Sequence, residues 1–231
     1  MSNTLEFNSN GSLIRMHAQE IDAGSGHPAA RRPAVLLLHG AGGHVDFWTA
    51  RLSPFLQEGR IGLYAPHYFD RTGTTRADLS TISDGVHVPK WLETIDAATH
   101  FIASRPGVDP SRIVLAGISL GAFLALAFAA QLSAIETENG SKRIRGILEL
   151  SGGLVDPYTA LATAQMPPTL IVHGATDTIV PVSFAHDLDQ RLTSLGVIHR
   201  TEILPNEGHW FSPAAMPRML LTVSSFLQSV L

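Results

Sequence analysis

No cysteine occurs among the 231 residues. That absence removes disulfide bonds, thiolate metal centres and a cysteine nucleophile together. Charge is sparse too: 16 basic against 20 acidic side chains give a formal net charge of −4. Without a basic excess the chain lacks the field that nucleic acid or an anionic membrane surface demands, so neither is expected as a partner. The opening residues carry neither a basic region nor an apolar stretch, which makes the cytoplasm the expected location. No Pro/Gly/Ser-rich or charged linker and no internal repeat divides the sequence, so one domain over residues 1–231 is expected. The longest apolar run, residues 113–130, approaches the ~20 residues that span a bilayer. A Gly-Ile-Ser-Leu-Gly interruption at 117–121 makes it instead a buried strand followed by a buried helix.

That interruption is the most informative feature present. Ile113-Val114-Leu115-Ala116 is β-type, Gly117-Ile118-Ser119-Leu120-Gly121 follows, and an Ala/Leu/Phe-rich helical segment starts at once. A sharp strand-to-helix turn strains its central residue and crowds its neighbours, a geometry that glycines on either side permit. Ser119 is thereby held at a helix N-terminus, where free backbone N–H groups stabilise an anion. Such a position suits a nucleophile.

Strand-like and helix-like segments alternate from residue 34 onward. The strands are expected at 34–39, 61–65, 113–118, 147–150, 170–173 and 201–204, and the helices at 47–58, 91–102, after Ser119, at 182–195 and at 216–231. Trp91, Ile95, Ala98 and Ile102 mark one helical face. Residues 67–89 read as one long loop, ended by the helix that begins at Trp91, and Pro106 to Pro110 as that helix's terminator. This alternation predicts an α/β fold: a mostly parallel central sheet covered by helices on both faces, with no cap domain. Residues 1–30 read as a hairpin, strands 5–7 and 13–17, added at the sheet edge.

A serine hydroxyl needs a base, and the base an orienting acid. In open parallel sheets such groups follow the carboxyl ends of strands. Asp177 follows strand 170–173 and His209 follows strand 201–204, giving the chain order Ser119, Asp177, His209. Asp156 is the rival acid and His173 the rival base; Asp187 and Asp189 fall within a helix. The oxyanion donors are expected to be the N–H groups of Leu120 and of Ala41 in the loop His39-Gly40-Ala41-Gly42-Gly43, with His39 bonding within that loop. Eleven histidines invite a metal reading, with His39/His44 and His67/Asp70 as ligands. No metal-binding helical spacing accompanies them, so neither metal nor cofactor is expected.

These motifs, together with Asp109-Pro110-Ser111-Arg112-Ile113, His173-Gly174-Ala175-Thr176-Asp177 and Gly208-His209, resemble the α/β-hydrolase superfamily. Ala65-Pro66-His67-Tyr68-Phe69-Asp70-Arg71 resembles the dienelactone hydrolases in particular. That family uses a cysteine nucleophile, a glutamate where Gly40 stands here, and two carboxylate-binding arginines. Arg71 matches the first arginine, while Pro213 stands about where the second would be. Arg71 therefore reads either as a substrate clamp or as a loop anchor paired with Asp70 or Asp84. Phe69, Trp210 and Phe211 flank the site residues and read either as an apolar acyl pocket or as core. The expected activity is hydrolysis of a small carboxylic ester, thioester or lactone through an acyl-enzyme. Alternatives are a lactonase or C–C hydrolase acting on a polar metabolite, and a hydrolase-fold binding protein that barely turns over. The sequence leaves the oligomeric state open.

Overall fold

A computed structural model describes residues 2–21, 31–135 and 143–231; residues 22–30 of the expected N-terminal hairpin lie outside these. Eight strands form one sheet: β1 (Ser2–Ser9), β2 (Ser12–Gln19), β3 (Arg32–Leu38), β4 (Gly62–Pro66), β5 (Val108–Ile118), β6 (Gly146–Leu150), β7 (Thr169–Gly174) and β8 (His199–Leu204). Their spatial order is β1-β2-β4-β3-β5-β6-β7-β8. The hairpin pairs antiparallel with itself and with β4, and every other pairing is parallel. Asn10 and Gly11, both at positive φ, make the two-residue hairpin turn.

Among the described residues there are six helices, all but α2 packed on the sheet: α1 (Val45–Glu58), α2 (Leu79–Ser83), α3 (His87–Ala103), α4 (Leu120–Ile135), α5 (Ser183–Leu195) and α6 (Met216–Val230). Strand β3 shows why the central strands are apolar throughout. Ala34, Leu36 and Leu38 join a core shared with α3, α4 and α5, while Val35 and Leu37 join one shared with α1 and α6. A residue on either face of such a strand is removed from water, each large aliphatic contributing about 1.5–3 kcal/mol. Helix α4 is buried almost all round, because helix α3 and the 3-10 turn Tyr158–Leu161 pack on it in addition to the sheet. Ser133 Oγ, for example, donates to the Leu161 carbonyl and accepts from the Thr163 N–H.

Two readings from the sequence require correction. The expected loop 67–89 is broken by a 3-10 turn, Tyr68–Arg71, and by α2, and helix α3 starts at His87 rather than Trp91. Pro89 lies in the first turn of α3, where a missing N–H and a fixed φ cost nothing. Strand β5 also begins earlier than expected, at Val108. It passes through Pro110 because the ladder with β3 is interrupted there: Arg32 pairs with Val108 and Ala34 with Ile113.

One buried group stands out. Glu149 of β6, opposite Gly117, is wholly inaccessible, and its Oε1 accepts the Gly152 N–H. Burial pushes its carboxyl up to about 8.

Candidate active site

Ser119 sits between the end of β5 and the start of α4 with φ 54°, a left-handed conformation costly for a residue with a side chain. The glycines on either side make the turn possible. A Cβ on Gly117 would overlap the Gly121 carbonyl, and one on Gly121 would overlap the Leu38 carbonyl. The backbone is pinned further by the Ser119 N–H, which donates to the Leu150 carbonyl at 2.8 Å, and by the Ser119 carbonyl, which accepts from Ala122.

His209 and Asp177 meet at this hydroxyl. Ser119 Oγ lies 3.0 Å from His209 Nε2, and His209 Nδ1 lies 2.7 Å from Asp177 Oδ2. A carboxylate only accepts, so Nδ1–H donates to Asp177 and Nε2 is left to accept the serine proton. Asp177 is held in its turn: Oδ1 accepts the N–H groups of Ile179 and Val180 at 2.8 and 2.9 Å. His173 supports that turn from beneath. It is fully buried, bonds the Val180 carbonyl through Nε2 at 2.9 Å, and approaches Asp177 Oδ2 at 3.4 Å. Burial lowers its pKa, which keeps it neutral. Thus His173, the rival base, lies behind the acid and away from the serine. Asp156, the rival acid, is exposed in the segment after β6.

The loop after β3 lies against Ser119, since a Cβ on Gly40 would stand 3.3 Å from Ser119 Cβ. Ala41 follows, its carbonyl accepting from Ala77. Leu120 opens α4 and so has no carbonyl one turn back within the helix to take its N–H. His39 fixes this loop: Nδ1–H donates to the Gly40 carbonyl at 2.8 Å, and the ring stacks on Tyr68 at 4.0 Å. Burial drives its pKa down to about 4, so it stays neutral, and Tyr68 adds a 2.7 Å bond to the His39 carbonyl.

The loop carrying His209 is closed by its own side chains. The Glu207 carboxylate accepts the Ser212 N–H and hydroxyl at 2.6 and 2.7 Å, bracketing His209, Trp210 and Phe211. The Glu207 carbonyl accepts both the N–H and the hydroxyl of Thr176, tying this loop to the one that bears the acid. Sequence reasoning missed Tyr68, Thr176, Glu207 and Ser212. A glutamate five residues before a serine in a loop has no periodic signature, and only the fold shows that Thr176 meets Glu207.

The remaining candidates separate. Phe69 is 4% exposed, packed on His39 and Trp91, and belongs to the core. Phe211 is half-buried against the α1/α6 core, whereas Trp210 is 58% exposed. Arg71 donates to Ser12 Oγ at 3.2 Å and lies 3.7 Å from Glu93. The partners suggested for it are taken elsewhere: Asp70 by Arg15 and Asp84 by His87. Among the described residues no three His, Asp or Glu side chains gather as a metal site would need, and no helix is long and apolar enough to cross a membrane.

A mostly parallel eight-stranded sheet with a serine on the turn between a central strand and the following helix is the α/β-hydrolase fold, here with no domain inserted between β6 and β7. Within it the chain belongs to the phospholipase/carboxylesterase family, whose sequence profile matches residues 21–231. Lysophospholipase-like protein 1 of Mus musculus is 24% identical over 142 residues, which cover 57% of this chain and 56% of that one. The match thus spans little more than half of that relative. A lipase/esterase from Lactobacillus plantarum superposes with a TM-score of 0.76 at 17% identity, covering all of both chains. A dienelactone hydrolase-like promiscuous phosphotriesterase from metagenomic libraries gives 0.79 at 17% identity, over 100% of this chain and 98% of that one. At these identities the two structures share the fold.

Proposed function

We propose that this protein is a serine hydrolase of carboxylic esters, thioesters or lactones, with Ser119, His209 and Asp177 as its triad. The observation that carries this reading is the unbroken chain of hydrogen bonds from Ser119 Oγ through His209 to Asp177. Neutral His209 takes the serine proton as Oγ attacks the carbonyl carbon, and Asp177 holds the tautomer and stabilises the imidazolium. The oxyanion develops beside the N–H groups of Leu120 and Ala41. His209 then protonates the leaving oxygen, and the alcohol or thiol departs. Water, deprotonated by the same imidazole, releases the acid from the acyl-enzyme and restores Ser119. Every proton in this cycle passes through His209: from Ser119 to the leaving oxygen, and then from water back to Ser119. Arg71, engaged with Ser12 and Glu93, serves in this reading as a loop anchor and not as a carboxylate clamp.

The reading is tested with a fluorophosphonate probe and a p-nitrophenyl acetate assay. Wild-type protein should be labelled stoichiometrically, and Ser119→Ala should lose both labelling and turnover, the latter by several orders of magnitude, because triad members act as a unit. Correctly folded Ser119→Ala protein with near wild-type turnover would refute the mechanism. A wild-type protein that is neither labelled nor active would favour a binding protein on the hydrolase fold.

A further inference from the structure

Next to His209 the surface carries a line of aromatic rings that the proposed chemistry does not use. Trp210 stands edge-on to the His209 ring with centroids 5.1 Å apart. Trp48 of α1 stacks on Trp210 at 6.0 Å and 22°. Phe47 meets Trp48 edge-on at 5.1 Å, and the Arg51 guanidinium lies 3.5 Å over Phe47. Trp210 and Phe47 are 58% and 45% exposed, and Trp48 is half-buried. Trp48 packs on the core through its inner side while Phe47 and Trp210 stand largely outside it, and the residues come from two elements far apart in sequence.

Resting on the triad reading above, we infer that this strip binds the alcohol part of the substrate, and that it selects esters of planar, apolar alcohols, aryl alcohols above all. The argument is directional. His209 must protonate the leaving oxygen, so the group attached to that oxygen emerges on the His209 side of Ser119. There it meets Trp210 first and Trp48 next. Rings at these separations offer a flat group offset-stacked or edge-on contact, each such pair contributing beyond the area it buries. The acyl part leaves the same carbonyl carbon in another direction, away from the leaving oxygen. Alcohol and acyl selectivity therefore reside in different side chains.

The test compares kcat/KM for 2-naphthyl acetate and ethyl acetate in wild-type protein, Trp210→Ala, Trp48→Ala and Trp48→Phe. Intrinsic ester reactivity cancels when each variant is compared with wild type. The aryl-to-alkyl ratio should fall by roughly twofold to tenfold in each alanine variant, about one aromatic pair, and Trp48→Phe should restore most of it. Lengthening the acyl chain at constant alcohol should give the same profile in all four proteins. Free 2-naphthol, a product that needs no turnover to bind, should inhibit wild-type protein competitively and Trp210→Ala more weakly. An aryl-to-alkyl ratio unmoved in both alanine variants, with hydrolysis intact, would overturn the strip's role. A shift in acyl-chain profile instead would place it on the wrong side of Ser119. Wild-type protein that hydrolyses neither ester would overturn the triad reading and not this inference alone.

Discussion

Ser119 and His209, the proposed nucleophile and base, are held by different physics. Ser119 is fixed by backbone sterics: a left-handed residue between glycines whose missing Cβ atoms let β5, α4 and the end of β3 touch. His209 is fixed by side-chain hydrogen bonds, Glu207 to Ser212 and Thr176 to Glu207, in a loop open to solvent. A hard-sphere constraint tolerates no perturbation and ignores pH. A hydrogen-bonded clasp can loosen while the fold survives. The two halves of the proposed reaction centre should therefore fail in different ways.

The sharpest contrast lies in what one added methyl group does. Gly121→Ala sets a Cβ into the Leu38 carbonyl. We expect it to yield little folded protein, or a destabilisation beyond about 4 kcal/mol in denaturant unfolding. A well-folded Gly121→Ala protein of normal stability would break the comparison. Glu207→Ala should behave otherwise. It should fold with a circular dichroism spectrum and melting point close to wild type, yet lose roughly tenfold to a hundredfold in kcat through misplacement of the imidazole. Glu207→Gln, which keeps an acceptor for one of the two Ser212 donors, should fall between. Unchanged kcat in Glu207→Ala would show that the loop holds His209 without its clasp.

The remaining contrast is a difference of sign with pH. Glu149 lies opposite Gly117 under the nucleophile turn, with its carboxyl raised from 4.5 to about 8 by burial. Between those values the folded protein keeps a proton that the unfolded chain has lost. Its contribution to stability therefore falls as pH rises, by at most about 1.4 kcal/mol per pH unit. Glu207 lies below its ordinary value because the Ser212 N–H and then its hydroxyl bond the carboxylate. The stability it contributes is present above pH ~4.5 and is lost as pH falls. Urea unfolding at pH 5 and pH 8 should show Glu149→Gln gaining on wild type at the higher pH. A constant offset between the two would mean that Glu149 has the same charge, folded or unfolded.

How much of this was legible follows from the same division. The nucleophile turn could be read in the sequence, because glycines at fixed offsets between an apolar strand and an apolar helix are a local pattern with a local cause. Asp177 and His209 could be singled out because both follow strands whose ends must lie along one edge of a parallel sheet. Helix α3 could be recognised from Trp91, Ile95, Ala98 and Ile102, all of them buried. Its start was missed because Pro89 reads as a breaker when its place in the first turn is unknown. The clasp around His209 and the stacking of Trp48 on Trp210 were invisible: each joins residues whose proximity exists only after folding.

The sheet's two outer strands carry a further consequence. β1 ends the sheet on one side, with Glu6 opposite Arg15 of β2. β8 ends it on the other, with Glu202 bonded to Arg200 and to Arg218 of α6. Pairing β8 with another copy would strip water from charges already partnered within the chain, and pairing β1 would strip it from Glu6. Ionic groups thus guard the two margins against continued lateral growth, so a protein rich in apolar strands should resist fibrous aggregation while its fold persists.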